Sequence, residues 1–216
     1  MLNLKHSVAY QYNFTERLHL KSLRSKYGRK FQNVYGESKK RVWYDGELAS
    51  LRIKHNIIKS LLLGSRFRCA YCSKLLVRSE KPVDHFIPNS IYPELSFHEL
   101  NLIPSCGYCN SSLKKMFDPI IIKERKYSKS VFFICHPIIH NINQHICYKE
   151  NDVTQLDLEK CSIEGLNTIE LFKLYRFEMI EERINQFIIN RDNPLTDEKL
   201  IRLVNECATY QYNNSH

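Results

Sequence analysis

The 216-residue sequence predicts an α+β fold: a small ββα unit stapled by cysteines, set between mainly α-helical flanks. Three observations lead there. Two Cys-x-x-Cys pairs, Cys69–Cys72 and Cys106–Cys109, bracket 33 residues. Between them lie short β-prone pieces and proline-containing loops. Outside them, apolar residues recur at helical spacing.

The elements follow in chain order. Residues 1–63 form a basic N-terminal arm and one helix, the arm ordering on a partner. The helix is read from Glu47 to about Gly64, because Leu51, Ile53, Ile57, Ile58, Leu61 and Leu62 repeat at near-helical intervals. Residues 64–127 make the ββα-sized core, with strand-like pieces near Phe67 and Leu75–Val77 and a helix starting near Asn110, Ser111 and Ser112 in its first turn. Residues 128–216 are mainly helical. The run Val131–Cys135 suggests a strand, one helix is expected from Thr168 to about Asn190, and Asn193-Pro194 breaks it before a last helix over Thr196–Ala208.

Charge is unevenly spread. Residues 1–81 carry 18 Lys/Arg against 5 Asp/Glu, while residues 82–216 carry 14 against 18. A basic half of that size attracts polyanions and makes their binding salt-dependent. Lys39, Lys40 and Arg41 form its densest run. Hydrophobic residues make up 43% of the chain, which excludes a disordered or fibrous class. The longest apolar run, Ile57–Leu63, is interrupted by Lys59 and Ser60, so no membrane span is expected. With no leader-like start, a cytoplasmic location is the default expectation.

In such a compartment the paired spacing of four of the eight cysteines reads as metal binding rather than disulfides, while Cys135, Cys147, Cys161 and Cys207 are scattered. Two Cys-x-x-Cys knuckles supply four thiolates, Cys69, Cys72, Cys106 and Cys109, enough to close a tetrahedral structural zinc site with no open position. A thioredoxin-like redox pair is the competing reading, but neither knuckle sits in a βαβ pattern.

The residues between the knuckles, VDHFIPNSIYPELSFHELNLIPS, carry the specific signal. Asp84-His85 is followed by Pro88, Asn101-Leu102 precedes the second knuckle, Asn110 directly follows Cys109, and Lys114 lies four residues on. Over about 45 residues this resembles the HNH endonuclease family in its zinc-containing, ββα-metal form. Residues 131–146, with His136-Pro137 and a later His145-Ile146, more loosely resemble bacterial anti-phage defence HNH proteins of the Septu and retron-associated kind.

The resemblance implies a metal-dependent endonuclease acting on nucleic acid, DNA ahead of RNA, as a bacterial defence effector. His85 is then the general base, since a neutral imidazole can take a proton from water near pH 7. Asp84 and Asn110 are implied ligands for Mg²⁺ or Mn²⁺, as hard oxygen donors suit those ions. Asn101 is implied to hold the loop that orients His85, with Lys114, Lys115, Lys39, Lys40 and Arg41 meeting the phosphate backbone. Two departures stand out. The third family letter is Asn110 rather than His, and Asn89-Ser90-Ile91-Tyr92 replaces the paired glycines often found after the proline.

Blander readings compete. An isolated Asp-His pair is ordinarily a surface loop, Asn101 an ordinary turn residue, and Lys114 and Lys115 a solvated helix face. His98 reads as a surface or satisfied histidine. The stretch Cys135–His145 matches no standard metal spacing. A non-catalytic zinc-ribbon module that binds nucleic acid, or an interaction subunit docked on a regulatory partner such as an ATPase, is the alternative function.

Overall fold

The computed structural model describes residues 9–31, 42–76, 82–150 and 152–192. Lys39, Lys40, Arg41, Val77, Cys207, the Asn193-Pro194 break and the helix expected over Thr196–Ala208 lie outside these residues.

The N-terminal region holds two helices, α1 (Phe14–Phe31) and α2 (Leu48–Gly64), where one was expected. The start of α1 is fixed by a reciprocal cap: Asn13 Oδ1 accepts from the Glu16 amide at 2.9 Å, and Glu16 Oε2 accepts from the Asn13 amide at 2.9 Å. Both satisfy backbone donors that a helix start leaves orphaned. In α2, Ile53, Ile57 and Leu61 recur every fourth residue and are buried on one face. They cluster with Leu20 and Leu23 of α1, Tyr10, Tyr12 and Val42, and also with Phe97 and Leu102 from beyond the first knuckle. The helical pair is thereby seated on the central unit, and Tyr12 Oη donates to the Phe97 carbonyl at 2.9 Å.

The central unit is the expected ββα. Strands β1 (Val83–His85) and β2 (Leu102–Pro104) pair antiparallel, with Val83 opposite Pro104, Asp84 opposite Ile103 and His85 opposite Leu102. The helix that follows spans Tyr108–Lys114, two residues earlier than predicted. It is wound wide: the Lys115 amide donates to the Asn110 carbonyl, five residues back, at 2.8 Å. The strand-like pieces before β1 reduce to one bridge, Arg68 with Leu75, which closes the first knuckle as a tight hairpin through Ser73 in the left-handed region (φ 63°).

A second ribbon, β3 (Ile120–Ile122) with β4 (Val131–Phe132), follows. The predicted strand at Val131–Cys135 is cut to two residues because Ile134, Cys135 and His136 turn into the core instead. A one-turn helix, α3 (Ile142–His145), leads to α4 (Ile163–Phe172) and α5 (Phe177–Asp192). The single helix expected from Thr168 is thus two. Lys173 adopts the left-handed conformation (φ 52°, ψ 44°), and the Leu174 amide returns to the Ile169 carbonyl at 3.0 Å, the backbone closure that ends helices. The apolar pattern runs through the break because Ile169, Phe172, Leu174 and Met179 all enter one core with both knuckles, Phe86, Ile103 and Phe132. Gly165 lets α4 touch α3: a Cβ there would lie 1.9 Å from the His145 carbonyl oxygen. Among the described residues, no helix is long and apolar enough to cross a membrane.

Candidate active site and metal centre

The staple is built from two hairpin tips. Cys69 and Cys72 flank the first turn, where the Ser73 amide returns to the Cys69 carbonyl at 2.9 Å. Cys106 and Cys109 sit at the entry to the Tyr108–Lys114 helix, where the Asn110 amide donates to the Cys106 carbonyl at 3.0 Å. The tips are joined by the Ala70 amide, 2.8 Å from the carbonyl of Pro104 at the end of β2. All four sulfurs are buried and lie within 4.8 Å of one another, with Cys72 and Cys106 at 3.8 Å. A tetrahedron with zinc–sulfur bonds of about 2.3 Å has edges of about 3.8 Å, so the four thiolates could hold one zinc ion. Shared hydrogen bonds with the other three lower the Cys106 thiol and raise that of Cys109. Four thiolates this close repel unless a cation lies among them.

Beside the staple, β1 presents Asp84 and His85 in succession. The two side chains meet different partners. Asp84 is buried, accepting from Tyr71 Oη at 2.7 Å through Oδ2 and from Lys114 Nζ at 3.1 Å through Oδ1. Burial raises its carboxyl while the Lys114 ammonium opposes that rise. The His85 backbone amide is a third donor, and since a carboxylate has about four acceptor positions, a lone pair is left for an ion. Asn110 stands alongside, its amide nitrogen donating to the Val83 carbonyl at 3.4 Å. Its side-chain oxygen accepts no hydrogen bond among the described residues.

His85 is half-buried. Its Nε2 lies 3.0 Å from the Ser96 carbonyl oxygen, which can only accept. Nε2 therefore carries the proton in the neutral ring, and Nδ1 keeps the lone pair a base requires. Burial lowers its pKa to about 4, with the Lys114 charge adding to the fall, so the ring is neutral at pH 7.

Asn101 is fully buried and uses every polar position. Its oxygen accepts from the Ile87 amide (2.7 Å) and Tyr127 Oη (2.9 Å), and its nitrogen donates to the carbonyls of Ile87 and Leu95, both at 3.1 Å. It clamps the chain just after His85 to the loop that carries Ser96. Behind it, Tyr127 Oη lies 3.3 Å from Nε2 of buried His136, whose Nδ1 accepts from the Ile138 and Ile139 amides. The Cys135–His145 stretch thus supports this loop. His98 is structural too, stacked on Tyr127 at 4.5 Å.

Lys114 departs from the expected solvent-facing phosphate ligand. It is 1% exposed, and Nζ is shared between Asp84 Oδ1 and the His85 carbonyl at 2.9 Å. The wide helical turn swings its stem inward, where a buried carboxylate needs a cation. Lys115 is exposed. Among groups the sequence did not single out, Tyr71 had a partial signal in the tyrosine before each second knuckle cysteine. Ser96 acts through its backbone, which no residue type announces.

Residues 69–115 match the model of the HNH endonuclease family. Among characterised proteins, the Septu protein PtuB of Bacillus thuringiensis is 42% identical over 151 residues, covering 67% of this chain and 50% of that protein. The Septu protein PtuB of Bacillus mycoides (strain KBAB4) is 26% identical over 148 residues, 59% of this chain and 48% of that protein. Protein ea31 of Escherichia phage lambda is 39% identical over 54 residues, 25% of this chain and 18% of that protein. The chain therefore spans about half the length of the two Septu relatives. No solved structure matches it.

Proposed function

We propose that this chain, whose residues 69–115 are an HNH endonuclease domain, hydrolyses phosphodiester bonds in nucleic acid with a divalent cation at Asp84 and Asn110 and His85 as general base. The supporting observation is the tautomer of His85: its proton is committed to the Ser96 carbonyl at 3.0 Å, leaving Nδ1 to accept. A binding module has no use for such a base in the residue next to a hard oxygen donor.

A Mg²⁺ or Mn²⁺ ion at Asp84 and Asn110 would supply positive charge beside the scissile phosphate. His85 Nδ1 takes a proton from water, and the water oxygen forms the new bond to phosphorus as the ester oxygen leaves. Asn101 fixes the loop on both sides of that base through Ile87 and Leu95. Tyr71 and Lys114 hold the Asp84 carboxylate in place. The four cysteines hold zinc and take no part in the reaction.

DNA is the proposed substrate, in a bacterial defence setting, a reading supported by the similarity to Septu proteins. Lys115, with Lys39, Lys40 and Arg41, is assigned to the phosphate backbone on charge alone. A regulatory partner such as an ATPase would restrain the nuclease, and a cytoplasmic location fits that role. The domain division proposed is 1–63, 64–127 and 128–216, the middle one catalytic. The test is incubation of zinc-loaded protein with plasmid DNA and with tRNA, in Mg²⁺, in Mn²⁺ or without added divalent cation. Metal-dependent loss of the plasmid supports the reading. Binding without cleavage of either nucleic acid favours the zinc-ribbon alternative.

A further inference from the structure

The base is touched by a residue from outside the matched segment. Trp43, the single tryptophan of the chain, has its ring centroid 4.6 Å from that of His85, at 90°. Its other neighbour is Phe97, at 4.9 Å.

The turn that carries Trp43 is fixed on both sides. Val42 is buried in the N-terminal core. The Trp43 carbonyl accepts from Lys54 Nζ of α2 at 3.1 Å. Two residues on, buried Asp45 accepts from Ser50 Oγ at 2.7 Å and from the Glu47 amide at 3.2 Å. The indole is thus presented by a braced segment.

An imidazole held at one nitrogen can still pivot about that hydrogen bond, carrying its other nitrogen out of line. A ring packed perpendicular to it removes that freedom. We infer that Trp43 is a positioning residue, which locks the His85 ring about its Nε2–Ser96 hydrogen bond and so aims Nδ1. The helical pair α1–α2 then completes the nuclease site rather than merely adjoining it. The contact stands on geometry, and only its consequence for rate rests on the nuclease reading.

Two measurements test it. In zinc-loaded protein without added Mg²⁺, the emission of the single tryptophan should shift to the red and become more accessible to acrylamide in His85→Ala, and stay unchanged in Lys123→Ala. With plasmid DNA and Mg²⁺, Trp43→Ala should slow single-turnover cleavage by about ten- to a hundredfold, the scale of a misaimed reacting group, with Kd for the DNA within about twofold. Trp43→Phe, which keeps an aromatic wall and guards against a folding defect, should recover the rate to within about threefold of wild type. Zinc content and circular dichroism establish that each variant is folded. Unchanged emission in His85→Ala would overturn the contact. A wild-type rate in Trp43→Ala, or a loss confined to Kd, would overturn the positioning role. Absence of cleavage by the wild type would defeat the nuclease reading instead, with the emission comparison still deciding the contact.

Discussion

Lys114 Nζ lies 3.1 Å from Asp84 Oδ1, with the two side chains only 1% and 4% exposed. The ammonium stands beside an oxygen proposed to hold the divalent ion, so charge at this point is balanced by lysine until metal arrives. Lys114→Met keeps the apolar stem but leaves a buried carboxylate unpaired, a change that typically costs about 3–5 kcal/mol. Urea unfolding should show that loss. Added Mg²⁺ should raise the midpoint more in the variant than in wild type, because the dication replaces the missing charge. Equal stability of the two proteins would mean that the pair is not buried in solution.

The staple makes a separate demand. Metal analysis should find about one zinc per chain, and chelation or Cys72→Ser should leave protease-sensitive protein, since zinc binding and folding are linked in such sites. Folded protein that has lost its zinc would show that the core of Phe86, Ile103 and Phe172 holds without it.

Acid should weaken the fold through His136. Burial pushes its pKa down to about 3, whereas the unfolded chain takes up the proton near 6.5. The unfolded state therefore binds the extra proton below 6.5. The His136 contribution is complete above that pH and is lost as pH falls toward 3, at about 1.4 kcal/mol per pH unit. His136→Gln should reduce the slope of unfolding free energy against pH by about that amount between pH 6 and 5. An unchanged slope would place the pH dependence elsewhere.

The turn after the site helix is strained. Lys115 has φ 51° and ψ −121°, and the Phe117 amide closes on the Lys114 carbonyl at 2.9 Å. This is a turn whose first central position favours glycine. Lys115→Gly should stabilise the fold by about 1 kcal/mol in spite of the entropy it adds to the unfolded chain. If it also weakens DNA binding, the strained lysine is retained for its charge.

The staple and helix α2 were legible in the sequence because each depends on local spacing, whereas Asp84, His85, Asn101 and Asn110 were singled out by the family resemblance of the segment between the knuckles. Helix α1 was missed although Asn13-x-x-Glu16 signals its start: among its described side chains the buried apolar ones are Leu20 and Leu23, too few to make a stripe. The break at Lys173 has no glycine or proline to mark it. The inward turn of Lys114 and the approach of Trp43 depend on partners 30 and 42 residues away, and pattern reading does not reach that far.

The central claim is that His85 is the proton acceptor in a metal-dependent nuclease. Its most direct test compares wild-type and His85→Ala protein, both zinc-loaded, for plasmid cleavage in Mg²⁺ and for DNA binding without added divalent cation. Cleavage should fall by at least about a hundredfold, the usual scale of a lost general base, while binding stays the same and excess Mn²⁺ fails to restore the rate. Cleavage by His85→Ala at the wild-type rate would contradict the account.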